Sequence, residues 1–389
     1  MNQRDISEIK RRLNPDKRYP TVIRGCYVAA DGHIISTFAQ PVYALPQEEN
    51  EKYMAIFRKT LSGTLGQNLL PVEFTALQTM EGPEHHLLMA LRDSSLTDED
   101  AVDAFWQKVI SVILSSKSNA LQSVSQQQAA DNYLILLMHD GYDVPFKDGN
   151  DEIDRERSTD VFSYILCSVC TVKQSKPALM YFAAESEFHS READWVVGAP
   201  EQGFLFPSFD DRQANVYGAM YYTKDAADPH DDFIEAVFNT PKITPAPQQT
   251  ETFQNILRTS LQDECNLDVV QQVHETVSAM MEEHKADKSA EPLAFSAPAV
   301  REVLENCGVS PDKAAVFEEY YIDSFGDNAR IPAVNLVAPR TFKVTTPSVS
   351  IKVDPENSHL LETRIIDGKQ YILILADGDV EVNGVNVRL

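Results

Sequence analysis

The densest chemistry in the chain lies between Phe188 and Arg212. Gly203-Phe-Leu-Phe-Pro-Ser-Phe-Asp-Asp-Arg212 runs three phenylalanines and a proline into the paired acids Asp210 and Asp211, followed by Arg212. Neighbouring carboxylates can bind a divalent cation or hold one raised pKa, and the rings could wall a cleft. The plainer account makes the phenylalanines core, Asp210 a turn residue and Arg212 its ion-pair partner. Just upstream, Phe188-His-Ser-Arg-Glu-Ala-Asp-Trp195 offers His189, Glu192 and Asp194. On a helix His189 and Glu192 would share a face at i,i+3, a spacing that can hold a metal. The pattern is not HExxH, and a polar loop paired through Arg191 explains it as well. No organic cofactor is expected; a divalent metal is the one cofactor these residues suggest.

Other constellations read more simply. Cys167 and Cys170 form a lone CxxC. No second ligand pair matches it for zinc, and it sits in an apolar run rather than at a helix start. Two residues three apart on a strand point to opposite faces, so both thiols read as small core groups. His139-Asp140 reads as a strand end turning into Gly141, Asp228-Pro-His-Asp-Asp232 as a helix start, and His85-His86 as a surface pair. The basic residues cluster at the beginning, where Lys10, Arg11 and Arg12 offer a candidate contact to phosphate or to an acidic partner. A solvated helix face, or pairing with the acidic stretch 148–160, is the simpler alternative. No GxxxxGK[ST], strand-borne GxGxxG or GxSxG is present, so the common phosphate-cradle and serine-elbow signatures are missing.

Several elements must position these groups. Ile6, Ile9 and Leu13 share one face of a short helix, with Asp5 as its cap and Glu8 completing a capping box. Val22–Val28 and His33–Phe38 flank Asp31-Gly32 as a hairpin. Helices are expected behind Pro46, behind Pro83 and after Thr97. Asn132–His139 and Val161–Val172 are dense in aliphatic and aromatic residues, as strands buried on both faces are. Residues 176–222 lack clean periodicity and read as ordered long loops with short strands. Helices follow over Phe253–Leu261, Leu267–His284, after Ser296 and after Ser310. From Ser348 onward, strands and Asp-Gly or Asn-Gly turns spell a β-meander.

The 389 residues are 43% hydrophobic and 24% charged, enough apolar surface to build cores. Three prolines in Thr240–Thr250 mark a linker over 241–250. The expected layout is α+β (mixed α/β): a sheet-containing N-terminal domain over 1–240, then a helical segment and β-hairpins over 251–389. The formal charge of −25 repels phosphate at long range, which disfavours nucleic acid as a partner. No run approaches the roughly 20 apolar residues that cross a bilayer. Five scattered cysteines and a charged start without a signal-peptide core suit a reducing cytoplasm.

Long segments carry a family likeness: MNQRDISEIKRRLNPDK, IRGCYV, FRKTLSGTLGQNL, LLMALRDS, STDVFSYILCSVC and FHSREADWVVGAPEQGFLFPSFDDR. In these the chain resembles an uncharacterised bacterial family of the domain-of-unknown-function 4317 type. The resemblance implies a bacterial cytoplasmic origin and brings no activity with it. The C-terminal order, helices through Phe317-Glu-Glu-Tyr-Tyr and then a hairpin over Ser350–Asp354 and Tyr371–Leu375, resembles the layout of nucleoid-associated proteins of the NdpA type. Three functions follow as expectations: a binding or assembly protein with a protein partner or a second copy of itself, a nucleoid-associated protein, and a metal-dependent enzyme using residues 188–212. The balance falls on the first, and against an enzyme.

Overall fold

A computed structural model describes residues 1–389 apart from 17–21, 122–130, 145, 148–152, 155–160, 211, 288–290, 339–340, 377, 379, 383–384 and 388–389. The side chains of 116–121, 146–147, 153–154, 191, 356 and 382 are likewise outside the description. The fold is mixed α+β. The chain divides between Pro245 and Ala246 into two units. Within the expected linker, helix already begins at Ala246. Pro247 falls in that helix's first turn, where its missing N–H is tolerated.

The first unit opens with α1 (Gln3–Arg12), β1 (Val22–Val28), β2 (Ile34–Pro41), α2 (Gln47–Thr60) and β3 (Leu69–Glu73). Helices α3 (Ala76–Glu81), α4 (Pro83–Asp93) and α5 (Glu99–Leu121) precede β4 (Asn132–Asp143). A short pair, β5 (Phe146–Lys147) and β6 (Ile153–Asp154), leads to β7 (Val161–Gln174). Then come β8 (Ala178–Phe182), β9 (Glu187–Arg191), β10 (Trp195–Phe206), β11 (Ser208–Asp210), β12 (Gln213–Asn215), β13 (Gly218–Thr223) and α6 (Asp231–Phe238). Seven strands form one antiparallel sheet in the order β2-β1-β4-β7-β10-β13-β3.

Alternation along the central strands explains the layers. On β4, Ile135 and Leu137 enter one core with Val102, Phe105 and Trp106 of α5, Leu88 of α4 and Phe233 of α6. Leu134, Leu136 and Met138 enter the opposite core with Ile6 and Ile9 of α1 and Met54 and Phe57 of α2. Strand β7 repeats the pattern, Ile165, Cys167 and Val169 facing one way and Tyr164 and Leu166 the other. Helices therefore cover both faces of the sheet, and the middle strands read as unbroken apolar runs for that reason. Cys167 and Cys170 are both buried. Burial pushes the Cys170 thiol up to about 12 and the Cys167 thiol well up, so neither is a ready nucleophile.

Residues 176–222 depart from expectation: strands β8 to β13 fill most of them. Their periodicity is broken because β10 is irregular. Its register against β7 shifts between Val197 and Pro200 and again before Gln202, a bulge where Gly198 and Pro200 sit. His85 also corrects the surface reading. It is buried, its Nε2 lies 2.9 Å from the Val216 carbonyl, and its ring meets Phe74 and Phe206 edge-on.

The second unit packs α7 (Ala246–Leu261), α8 (Leu267–Ala286), α9 (Ala297–Asn306), α10 (Pro311–Phe325) and α11 (Ala333–Leu336) around Phe253, Leu304, Phe317 and Tyr321. Short strands β14 (Ala294–Phe295) and β15 (Ile331–Pro332) pair between them. The expected meander resolves into three separate two-stranded pairs: β16 (Phe342–Thr345) with β17 (Ser350–Val353), β18 (Leu361–Ile366) with β19 (Lys369–Ile374), and β20 (Val380–Val382) with β21 (Val385–Val387). A short 3-10 turn over Pro355–Leu360 interrupts the run between the first two. Asp367 and Gly368 both take positive φ at the β18–β19 turn, as tight hairpins require.

Gly203 on β10 sits where the sheet leaves no room for a side chain. A Cβ there would meet the Cys167 carbonyl oxygen at 2.2 Å and Thr60 Cγ2 at 2.7 Å. The first contact is backbone of a central strand and has no room to move. Gly203→Ala is expected to lower the unfolding free energy by about 2 kcal/mol, read as a lower urea midpoint; an unchanged midpoint would contradict this packing.

Candidate functional site

Asp210 and Arg212 both reach a polar seam under α1, Arg212 pairing there with Glu8 and Asp210 with the Met1 ammonium. The helix is started by Asn2, whose side chain accepts from the N–H groups of Arg4 and Asp5. Asp5 accepts in return from the Asn2 N–H at 3.0 Å, so the capping box is Asn2/Asp5 rather than Asp5/Glu8. That frees Glu8 for another task. Ile6, Ile9 and Leu13 hold the helix on the sheet, and the turn spacing points Glu8 and Arg12 along the same side.

Glu8 receives the Arg212 Nη1 at 2.8 and 2.7 Å and the Tyr142 hydroxyl at 2.6 Å. Arg12 forks onto Asp140, Nε and Nη2 each 2.9 Å from a carboxylate oxygen, and Nη2 also reaches the Gly141 carbonyl. Tyr164 donates to the same carboxylate at 3.0 Å. The Arg12 guanidinium lies 4.8 Å from the centre of the Tyr142 ring, which joins the two ion pairs into one network. Asp210 pairs with the Met1 ammonium and accepts from Ser208 at 2.6 Å and Asn215 at 2.7 Å.

The electrostatics follow from burial. Asp210 is partly desolvated, which opposes ionisation; the ammonium, Ser208 and Asn215 outweigh this and hold its carboxyl below the ordinary value. Burial, and then the hydrogen bond to Glu8, push the Tyr142 phenol up. Tyr164 is driven well up by burial and the Asp140 charge. Both phenols stay protonated as donors. Each seam carboxylate thus has its lone pairs taken by protein donors, an arrangement that fastens α1 to the sheet.

The upstream candidates sit elsewhere. His189 is on β9, not on a helix, and its Nε2 faces Glu185 at 3.0 Å and Glu187 at 3.6 Å on an exposed hairpin. Glu192 is exposed beyond the end of β9. Asp194 closes the hairpin's base, its N–H donating to Ser175 Oγ and its carbonyl accepting from the Ser175 N–H. Strand β10 separates this group from Asp210. Its 12 residues extend for roughly 35 Å at strand spacing. Asp211 lies outside the described residues. Among the described residues no cluster of three or more His, Cys, Asp or Glu side chains could hold a metal. His139 and Asp140 fall inside β4 on opposite faces; His139 Nε2 meets Ser163 Oγ at 2.9 Å, and burial, with a further push from Arg92, outweighs Asp140 to lower its pKa. Of the basic residues, Arg12 is taken by Asp140 and Lys10 donates to Ser62 at 2.9 Å, while Arg11 is exposed. The acidic stretch 148–160 lies largely outside the described residues, so its pairing with them is not described.

A second surface escaped the sequence reading. Strand β4 follows β7 only as far as Asn132 opposite Val172. Beyond that point β7, the β8–β9 hairpin and the start of β10 continue as a two-stranded arm. Tyr181 and Phe188 pair across it, ring centres 5.1 Å apart. Leu179 is 72% exposed, Phe188 64%, Tyr181 50% and Trp195 49%. The signal was available in Ala-Leu-Met-Tyr-Phe, a strand-like apolar run with no amphipathic helix beside it to cover it.

The chain belongs to the family described as Domain of unknown function (DUF4317), whose model matches residues 1–385. No curated protein and no solved structure matches it. No described helix is long and apolar enough to cross a membrane.

Two measurements test the seam. The side chains of Arg12 and Asp140 are 10% and 3% exposed, so Arg12→Ala strands a buried charge and is expected to cost about 3 kcal/mol. Adding Asp140→Asn to that variant should restore part of the loss; a double variant no better than the single would contradict the pairing. For Asp210, a lowered folded pKa means its contribution is complete above the ordinary Asp range, near about 4, and fades as pH falls through the lower folded value. The stability gap between the wild type and Asp210→Asn should therefore stay constant from neutral pH down to that range and then close.

Proposed function

We propose that the chain is a cytoplasmic binding or assembly protein whose contact surface is the β7–β10 arm and whose partner there is a second copy of itself. The observation that carries this reading is the exposed face of Leu179, Tyr181 and Phe188, with Trp195 at its foot, on a ribbon that extends past the sheet. A two-stranded ribbon is marginal in water and gains stability from a third layer. Exposed apolar residues gathered in one place, rather than scattered, mark contact surfaces. Charge allows a like partner at this point. Residues 173–197 carry three Lys or Arg and four Asp or Glu, so the arm itself is close to neutral and sets no strong like charge against a second copy. The five free thiols fit the cytoplasmic setting.

The alternatives draw less support. A divalent site over 188–212 would need groups from both ends of β10, and Asp210 already has an ammonium and two donors. A nucleoid role would need cations at α1 that Asp140 and Ser62 engage.

Sedimentation velocity on the full chain tests the proposal. The wild type is expected to be dimeric in the tens of micromolar, and Leu179→Ser combined with Phe188→Ser to be monomeric with an unchanged far-ultraviolet circular dichroism spectrum and a melting midpoint that no longer rises with protein concentration. A monomeric wild type, or a variant that self-associates equally, would overturn it.

A further inference from the structure

Helix α2 shows two faces to the sheet. Met54 and Phe57 are buried in the core. The adjoining stripe, Glu49, Lys52, Tyr53, Ile56 and Lys59, instead borders a cavity of about 660 Å³. The far wall is Leu134 of β4 and Val197–Pro200 of β10. This wall is the bulged stretch of β10, and pairing with β13 starts only at Gln202, so the sheet leaves the space open. A cavity of this size lies within the range of about 300–1,000 Å³ that small-molecule sites occupy. Its floor is apolar, from Tyr53, Ile56, Leu134 and Val197.

The rim is cationic in an acidic chain. Lys52, Arg58 and Lys59 form no ion pair with any described carboxylate, whereas Arg12, Arg24, Lys108, Lys224 and Arg301 each hold one. Lys10 stands nearby; burial, and then Arg58 and Lys59, lower its pKa. The helix dipole rewards cations in the last turn, which accounts for Arg58 and Lys59. It does not account for Lys52 two turns earlier, nor for the apolar space beneath. Lys52 and Lys59 are separated along the axis by about 10 Å, which two lysine side chains can span toward one anion. Among the described residues Glu49 is the one carboxylate on the lining; it sits one turn from Lys52 and about 15 Å along the axis from Lys59, so the head group is placed toward the Lys59 end.

We propose that this groove binds a single-chain fatty carboxylate, the alkyl chain lying over Tyr53, Ile56, Leu134 and Val197 and the head group held between Lys52 and Lys59. The site does not depend on self-association through the arm. The test is calorimetric titration of the full chain with dodecanoate kept below its micelle concentration, beside dodecyl maltoside, inorganic phosphate and phosphatidylglycerol vesicles. Saturable binding of dodecanoate is expected, with none for phosphate or the uncharged glycoside. Lys52→Gln with Lys59→Gln should weaken it about fivefold or more. Ala199→Phe, on the exposed wall of the groove, should abolish it by filling the space. All three substitutions are at exposed positions, so the melting midpoint should hold. No saturable dodecanoate binding, affinity unchanged in both variants, or binding to vesicles alone would overturn the assignment.

Discussion

Fastening α1 to the sheet is the interaction on which one whole face of the first unit depends. The helix brings three apolar residues to a core that also holds Met54, Phe57 and the even-numbered side of β4. Hydrophobic contact alone would let a ten-residue helix slide or rotate. The forked Arg12–Asp140 pair fixes its azimuth, because guanidinium and carboxylate must be coplanar to make two parallel bonds, and the Glu8–Arg212 pair, made through one Arg212 nitrogen, holds it at a second point. Such pairs return little net stability against hydrophobic replacements. What they supply is a single register for the helix, and with it the floor on which α2 and its neighbours rest.

How much of this was legible depended on distance along the chain. The central strands were readable from 132–139 and 161–172 because both faces are covered and no alternation is needed. The Asp31-Gly32 hairpin was readable because its turn chemistry is local. Asp5 misled: it reads as the cap, but Asn2, three residues earlier, takes that role and Asp5 becomes its capping-box partner, releasing Glu8. His189 and Glu192 misled differently, since a spacing of three suits a helix face and says little on a strand. The seam itself was hidden. Arg12 and Asp140 are 128 residues apart and Glu8 and Arg212 are 204 apart, and no local pattern predicts such meetings. The same holds for the groove, whose walls come from α2, β4 and a bulge that no propensity announces.

The two units use different means of stabilisation. The first buries a seven-stranded sheet between helical layers, and nearly every residue of β13 and of the middle of β7 is inaccessible. The second packs short helices about Phe317 and Tyr321, the latter donating its hydroxyl to the Phe295 carbonyl at 2.8 Å. Among the described residues its three strand pairs from Phe342 onward form separate two-stranded sheets, and Ile365, Ile374 and Leu375 are exposed. Apolar exposure on a two-stranded ribbon therefore occurs in both units, beside exposed side chains on helices such as Leu77 and Met80 of α3.

The order of strands in the large sheet also sets a timetable for synthesis. Strand β3 stands at the edge of the described sheet and pairs with β13, Leu69 opposite Tyr222. At translation rates of about 5–20 residues per second, Leu69 waits roughly 8–30 s for that partner to be made. During the interval Leu70 and Val72, destined for the interior, have no mate. The large sheet is therefore completed by the middle third of the chain rather than by its early hairpin.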